Sequence, residues 1–251
     1  MIGHEHARMP AVRPGCLALT LAGLAVLAGC QRPFAPRPGD LLFQDADGGK
    51  LSDVIEAVTC GVGGARFSHV GIVATDAAGG LEVIEAAGKV KTTPLAKFLA
   101  RSRDARGRPK VVVGRLKPAH AECAAPAVAR ARALVGQPYD DVFLMDNGKY
   151  YCSELVYEVF RVAPTGVGGR PAEGEPLFEL HPMTFRLPGA AGPLPVWLEY
   201  YASKGMAVPE GQPGCNPGGL SRSGKLEIVY AFGRPGGWSE GQYRRLAGGR
   251  N

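Results

Sequence analysis

Residues 67–86 read Phe67-Ser68-His69-Val70-Gly71-Ile72-Val73-Ala74-Thr75-Asp76-Ala77-Ala78-Gly79-Gly80-Leu81-Glu82-Val83-Ile84-Glu85-Ala86. Two β-rich runs of strand length are joined by a glycine-containing connection, the pattern of an antiparallel hairpin. His69 then lies on the first strand, and Glu82 and Glu85 on the second. Successive strand side chains alternate in direction, so the two glutamates face opposite sides of the sheet. Ser68 and Gly71 are small and leave room beside His69 for another element to approach.

Downstream, Cys152, Leu155, Val156, Val159 and Phe160 recur at helical spacing, which predicts a helix over residues 152–162 with one apolar face. Cys152 opens that helix, where unpaired backbone N–H groups and the helix dipole favour a thiolate. A thiol and an imidazole on separate, packed elements are what an activated cysteine nucleophile requires. Composition alone equally allows Cys152 to be a small buried hydrophobe and His69 a satisfied core histidine.

Around these two segments, residues 40–43 (DLLF), 110–116 (KVVVGRL) and 226–232 read as strands. Residues 53–58 suggest a helical turn, and residues 94–103, 121–135 and 196–204 read as helices, the third of these four closed by Gly136 and Pro138. Residues 164–176 are rich in Gly and Pro and read as loop, and the tail beyond Gly233 has little to bury. A small sheet with flanking helices indicates an α+β domain.

The N-terminal segment has a different job. Arg8 and Arg13 precede an uncharged run over residues 16–28, the pattern of a secretory signal, and the run is shorter than the ~20 residues a bilayer span needs. It ends in Leu27-Ala28-Gly29-Cys30, which resembles the lipobox of a bacterial lipoprotein precursor. That resemblance implies a signal peptide over residues 1–29, lipidation of Cys30 as a membrane anchor, and a mature chain of 222 residues. Gln31 stands where aspartate would mark inner-membrane retention, so the expected address is the periplasmic face of the outer membrane. Residues 30–38, with three prolines, suit a stiff tether.

The 251-residue chain is 45% hydrophobic and 21% charged, which excludes disorder as a description of the whole. Loss of Arg8, Arg13 and Glu5 with the signal leaves a formal charge of +5. That excess forms no basic run and is not interleaved with aromatics, so no nucleic-acid partner is expected. There is no Cys-x-x-Cys, His-Glu-x-x-His, Gly-x-Ser-x-Gly or phosphate-binding glycine loop. No metal, cofactor or serine nucleophile is therefore expected. Cys60, Cys123 and Cys215 are an odd set from which one pair could be oxidised. His120 and His181 read as surface residues.

Gly39-Asp40-Leu41-Leu42-Phe43, Ser68-His69-Val70-Gly71-Ile72-Val73, Val83-Ile84-Glu85-Ala86, Gly136-Gln137-Pro138-Tyr139-Asp140 and Tyr151-Cys152-Ser153-Glu154-Leu155 together resemble the circularly permuted papain-like cysteine hydrolases, the YiiX/YebB-like branch of the NlpC-type superfamily. The histidine strand precedes the cysteine helix, which is the order of the permuted branch. The resemblance extends weakly through Trp197, Tyr201 and Gly214-Cys215-Asn216-Pro217. It implies a permuted papain-like domain over residues 39–235, followed by a tail over 236–251.

It also implies Cys152 as nucleophile, His69 as its base, Glu85 rather than Glu82 as the residue orienting the imidazole, and Tyr139 as an oxyanion donor. The implied activity is cleavage of an amide or acyl bond through a thioester, with no cofactor. Cell-wall (peptidoglycan) peptides and acyl lipids are the two competing substrates, and hydrolase and acyltransferase outcomes both remain open. The rival from another class is a non-catalytic envelope lipoprotein that keeps the fold for binding or scaffolding.

Overall fold

A computed structural model describes residues 1–3, 34–161 and 176–247. The chain divides into two units, Met1–Pro33 and Phe34–Asn251, and the fold concerns the second. The signal segment and Cys30 lie outside the described residues, as do residues 164–175 of the Gly/Pro-rich loop.

The elements run β1 (Leu41–Gln44), α1 (Lys50–Val58), β2 (His69–Thr75), β3 (Leu81–Ala86), β4 (Val90–Pro94), α2 (Leu95–Ala100), β5 (Val111–Leu116), α3 (Ala124–Ala133), α4 (Cys152–Val159), β6 (His181–Pro182), α5 (Pro195–Ala202), β7 (Pro213–Gly214), α6 (Pro217–Ser221), β8 (Leu226–Ala231) and α7 (Glu240–Ala247). Six strands form one antiparallel sheet in the order β4-β3-β2-β1-β5-β8, and β6 and β7 make a separate two-residue ladder. The hairpin expected from residues 67–86 is β2–β3, with Ile72 opposite Ile84.

Alternation along the strands builds two cores, as the two-residue period requires. Leu41, Phe43, Val70, Ile72, Ile84 and Val112 bury one face of the sheet in the larger core with α4, while Leu42, Val73, Val83, Val111 and Val113 bury the other beside Phe98 of α2. Asp40, buried at the start of β1, accepts two hydrogen bonds of 2.8 Å from Arg115 of β5. Gly39 holds φ +91, and a Cβ there would collide with Ala124, so this turn into β1 demands glycine.

Several element bounds differ from the sequence expectation. The helix expected over 94–103 is β4 followed by the shorter α2; Pro94 ends an edge strand, where its missing N–H costs nothing. The helix over 121–135 resolves into a 3-10 turn at Pro118–Cys123 and then α3. Cys60, Cys123 and Cys215, from which an oxidised pair seemed available, are all free thiols, as is Cys152.

Both flanks of the domain also pack more than composition suggested. Phe34, read as tether, stacks on Tyr230 with ring centroids 4.1 Å apart. Beyond Gly233, Trp238 is 5% exposed and its indole N–H donates to the Val62 carbonyl at 2.8 Å. Tyr243 of α7 is buried under the Arg108 guanidinium, 4.0 Å from its ring centre. The tail thus does bury aromatic surface. Substitution Trp238→Ala should destabilise the domain by about 3 kcal/mol, the usual cost of removing a buried large aromatic, read as a lower urea midpoint; an unchanged midpoint would show that this tail contributes nothing.

Candidate active site

Glu85 is fully buried on β3, and its carboxylate is surrounded by donors. His69 Nε2 stands 2.6 Å from Oε2, Thr93 Oγ1 on β4 donates to Oε1 at 2.6 Å, and Arg101 at the end of α2 forks onto both oxygens, at 2.7 Å to Oε2. Burial alone would raise this carboxyl's pKa. The hydrogen bonds from Arg101, His69 and Thr93 outweigh that and hold it far below the usual carboxylate range. Arg101 also lies over the Phe98 ring at 5.1 Å, and the same ring lies 5.9 Å from the His69 imidazole. The room expected beside Gly71 is taken by β3: a Cβ there would collide with Val83 and stand 3.3 Å from the Glu85 Cβ. Glu82 faces the opposite side of the sheet and pairs with Arg132 of α3 at 2.8 Å.

His69 is the link between this anion and Cys152. Burial lowers its pKa, but hydrogen bonds to Cys152 and to Glu85 overcome that effect and push it up to about 9. The imidazole is therefore held largely protonated at neutral pH, between a carboxylate and a sulfur.

Cys152 sits at the first position of α4, with its backbone N–H among those that an α-helix leaves without an internal partner. Glu154 caps this end by accepting from the Tyr151 N–H at 3.2 Å, and burial pushes its pKa up to about 8. The flanking residues are pinned as well. Tyr151 Oη accepts from the Cys215 N–H at 3.2 Å, and Ser153 Oγ donates to the Cys215 carbonyl at 3.1 Å.

Cys152 opens onto a small cleft of about 70 Å³. Its lining is mainly apolar, with Ile55, Val58, Phe143, Met183, Phe185 and Trp197, and Tyr139 stands at the same cleft. Burial raises the Tyr139 pKa strongly, and Cys152 adds to the shift, so the phenol stays a proton donor. Phe143 reaches the cleft with φ +56, an uncommon conformation for a side chain of this size. Asp140 supports the turn by accepting from the N–H groups of Val142 at 3.0 Å and Leu144 at 2.7 Å. Ser68, beside His69, accepts from the Ala46 N–H at 3.0 Å and donates to Glu56 at 2.8 Å.

The structure thus brings together Cys152, His69, Glu85 and Tyr139. Sequence reasoning missed Thr93 and Arg101. Thr93 lies in a short polar edge strand that carries no hydrophobic alternation, and Arg101 resembles any basic residue at a helix end. Trp197 was noted only as part of the weak C-terminal resemblance, yet it is 2% exposed, lines the cleft and leaves its Nε1 without a hydrogen-bond partner among the described residues.

A histidine strand that precedes a cysteine helix, joined across an antiparallel sheet, is the permuted papain-like arrangement. The chain belongs to the permuted papain-like amidases of the YaeF/YiiX, C92 family, whose model matches residues 35–230. It is 30% identical to the uncharacterized protein YiiX of Escherichia coli strain K12 over 146 residues, a span of 58% of this chain and 66% of that protein, just under two thirds. It also resembles a crystal structure of the metalloprotein YiiX from Escherichia coli O157:H7, with a TM-score of 0.61 and 25% identity, covering 80% of this chain and all of that one. Among the described residues no three His, Cys, Asp or Glu side chains are grouped as ligands for a metal, so these residues do not fit the ion that the second name implies.

The charged partner fixes the direction of a titration. In Glu85→Gln the His69 midpoint, followed by NMR, should fall from about 9 toward the ordinary histidine value. The raised pKa also means that protonated His69 stabilises the fold in full below the ordinary value of 6.5, and that this contribution is lost as pH rises through about 9. A midpoint unmoved in Glu85→Gln would show that the carboxylate does not set the imidazole's charge.

Proposed function

We propose that the protein is a cysteine hydrolase that cleaves an amide or ester bond adjoining an apolar acyl group, with Cys152 as nucleophile. The observation that carries this reading is the chain of contacts from Glu85 through His69 to Cys152, ending at an open cleft. The Cys152 sulfur, its proton taken by His69, attacks the substrate carbonyl carbon and forms a C–S bond as the carbonyl π pair moves onto oxygen. The Cys152 backbone N–H and the Tyr139 hydroxyl are the donors for that oxyanion. Collapse of the intermediate expels the amine or alcohol, which takes the proton from His69, and leaves a thioester. Water, deprotonated by His69, then attacks the thioester and releases the acid and the thiol.

Glu85 serves by holding the imidazole's orientation and charge, and Arg101 and Thr93 hold Glu85. The apolar lining of the cleft supports an acyl chain over a charged peptide at the position next to the scissile bond. The lipobox-type sequence before residue 34 supports an envelope lipoprotein anchored through Cys30, which would keep the site near a bilayer.

Two measurements test the reading. Iodoacetamide should alkylate Cys152 rapidly near neutral pH, and His69→Ala, which removes the imidazole hydrogen-bonded to the sulfur, should slow that reaction by roughly one to two orders of magnitude. Slow alkylation in the unaltered protein would favour the non-catalytic binding role instead. Product analysis with membrane lipids and, separately, with purified peptidoglycan should show acyl release from the lipids that Cys152→Ala abolishes. Full turnover in Cys152→Ala would sink the mechanism, and release from peptidoglycan alone would reverse the substrate choice.

A further inference from the structure

A second cavity, of about 570 Å³, adjoins the cleft: Cys215 and Asn216 line both. This shared wall is the segment that Tyr151 and Ser153 pin on either side of Cys152. The volume falls in the range of small-molecule sites, roughly 300–1,000 Å³, whereas the cleft at the sulfur is far smaller.

The polar side chains of the cavity are almost all donors. Asn216 uses its carbonyl oxygen to accept from the Gly219 N–H at 2.7 Å, which leaves its amide N–H groups for another partner. Ser223 Oγ accepts from the Lys225 N–H at 3.2 Å and keeps its own proton to give. Arg222 and Lys225 are basic side chains, and neither has a side-chain ion pair or hydrogen bond among the described residues. His120 and His181 complete the set, and Glu179 is the one carboxylate in the lining; Glu179, His181 and Arg222 are all exposed, at the cavity's rim, while Asn216, Ser223 and Lys225 are half-buried. Two cations and further donors against one carboxylate favour an anion that can accept several hydrogen bonds at once.

We propose that this cavity is the subsite for an anionic oxygen group, phosphate or carboxylate, carried by the substrate whose acyl carbon meets Cys152. The link to the substrate rests on the hydrolase reading above; binding of the anion does not. His120 and His181, taken from the sequence as surface residues, thereby gain a place beside the site.

The test uses the full chain with Cys152→Ala, titrated calorimetrically with inorganic phosphate and separately with succinate. Saturable binding of either anion is expected, weakened about tenfold or more when Arg222 and Lys225 are both changed to alanine. Arg222→Gln should act in the same direction and guards against a double variant that folds poorly. Binding of neither anion, or equal affinity in the variants, overturns the site. Binding of phosphate alone assigns a phosphate-bearing substrate, and of succinate alone a carboxylate-bearing one.

With Cys152 restored, removing both cations should raise KM for an ester bearing the anion that binds. It should leave kcat, and the KM of the uncharged ester with the same acyl chain, unchanged. An equal change for both esters overturns the substrate link. Anion binding that depends on Arg222 and Lys225 in a protein that hydrolyses neither the esters nor the corresponding amides upholds the site and overturns the hydrolase reading.

Discussion

A carboxylate with no exposed surface has to be surrounded by donors, and Glu85 sets that requirement for half of this fold. Its partners come from three further elements: His69 from β2, Thr93 from β4 and Arg101 from the end of α2. Each must arrive in register for the charge to be tolerated. The edge strand and the short helix after it can therefore be understood as the means of delivering a hydroxyl and a guanidinium to one place. Removing one donor would leave an anion short of partners in a dry environment, which is costlier than the loss of a single contact. The same anion, together with the Cys152 sulfur on the imidazole's other side, favours the protonated form of His69.

The part of the fold that rests on periodicity was legible in the sequence. Alternation over residues 67–86 gave the β2–β3 hairpin, and helical spacing after Cys152 gave α4, so histidine, glutamate and cysteine were found from local pattern plus family resemblance. The opposite facing of Glu82 and Glu85 followed from parity, and the partner of Glu82 is indeed Arg132 on the other face. What stayed hidden depends on tertiary placement. Thr93 and Arg101 sit in segments whose local composition carries no sign of a buried anion eight and sixteen residues away in the chain. The C-terminal helix was missed for a related reason: mostly polar, it buries a single tyrosine, and the tryptophan that anchors the segment lies just before it.

The cleft shows the same division between local and distant causes. Asp140 bonds to backbone two and four residues on, and this local turn aims Phe143. Phe143 then meets Trp197 edge-on, with centroids 6.0 Å apart, and Trp197 does the same with Phe185 at 5.1 Å. Such edge-to-face pairs fix ring orientation as well as burying area. The apolar wall beside the sulfur is therefore a rigid lattice of rings drawn from three separate segments.

The order of the elements along the chain bears on how such a site comes into being. A growing polypeptide acquires the histidine, its carboxylate and the arginine by residue 101, some fifty positions before the thiol is made. The residues of the electrostatic half of the centre are thus all synthesised before the Cys152 thiol that they serve. A chain cut short anywhere in that interval has no nucleophile and also lacks the cysteine helix against which β2 packs its apolar face, so core and reactivity are completed by the same element.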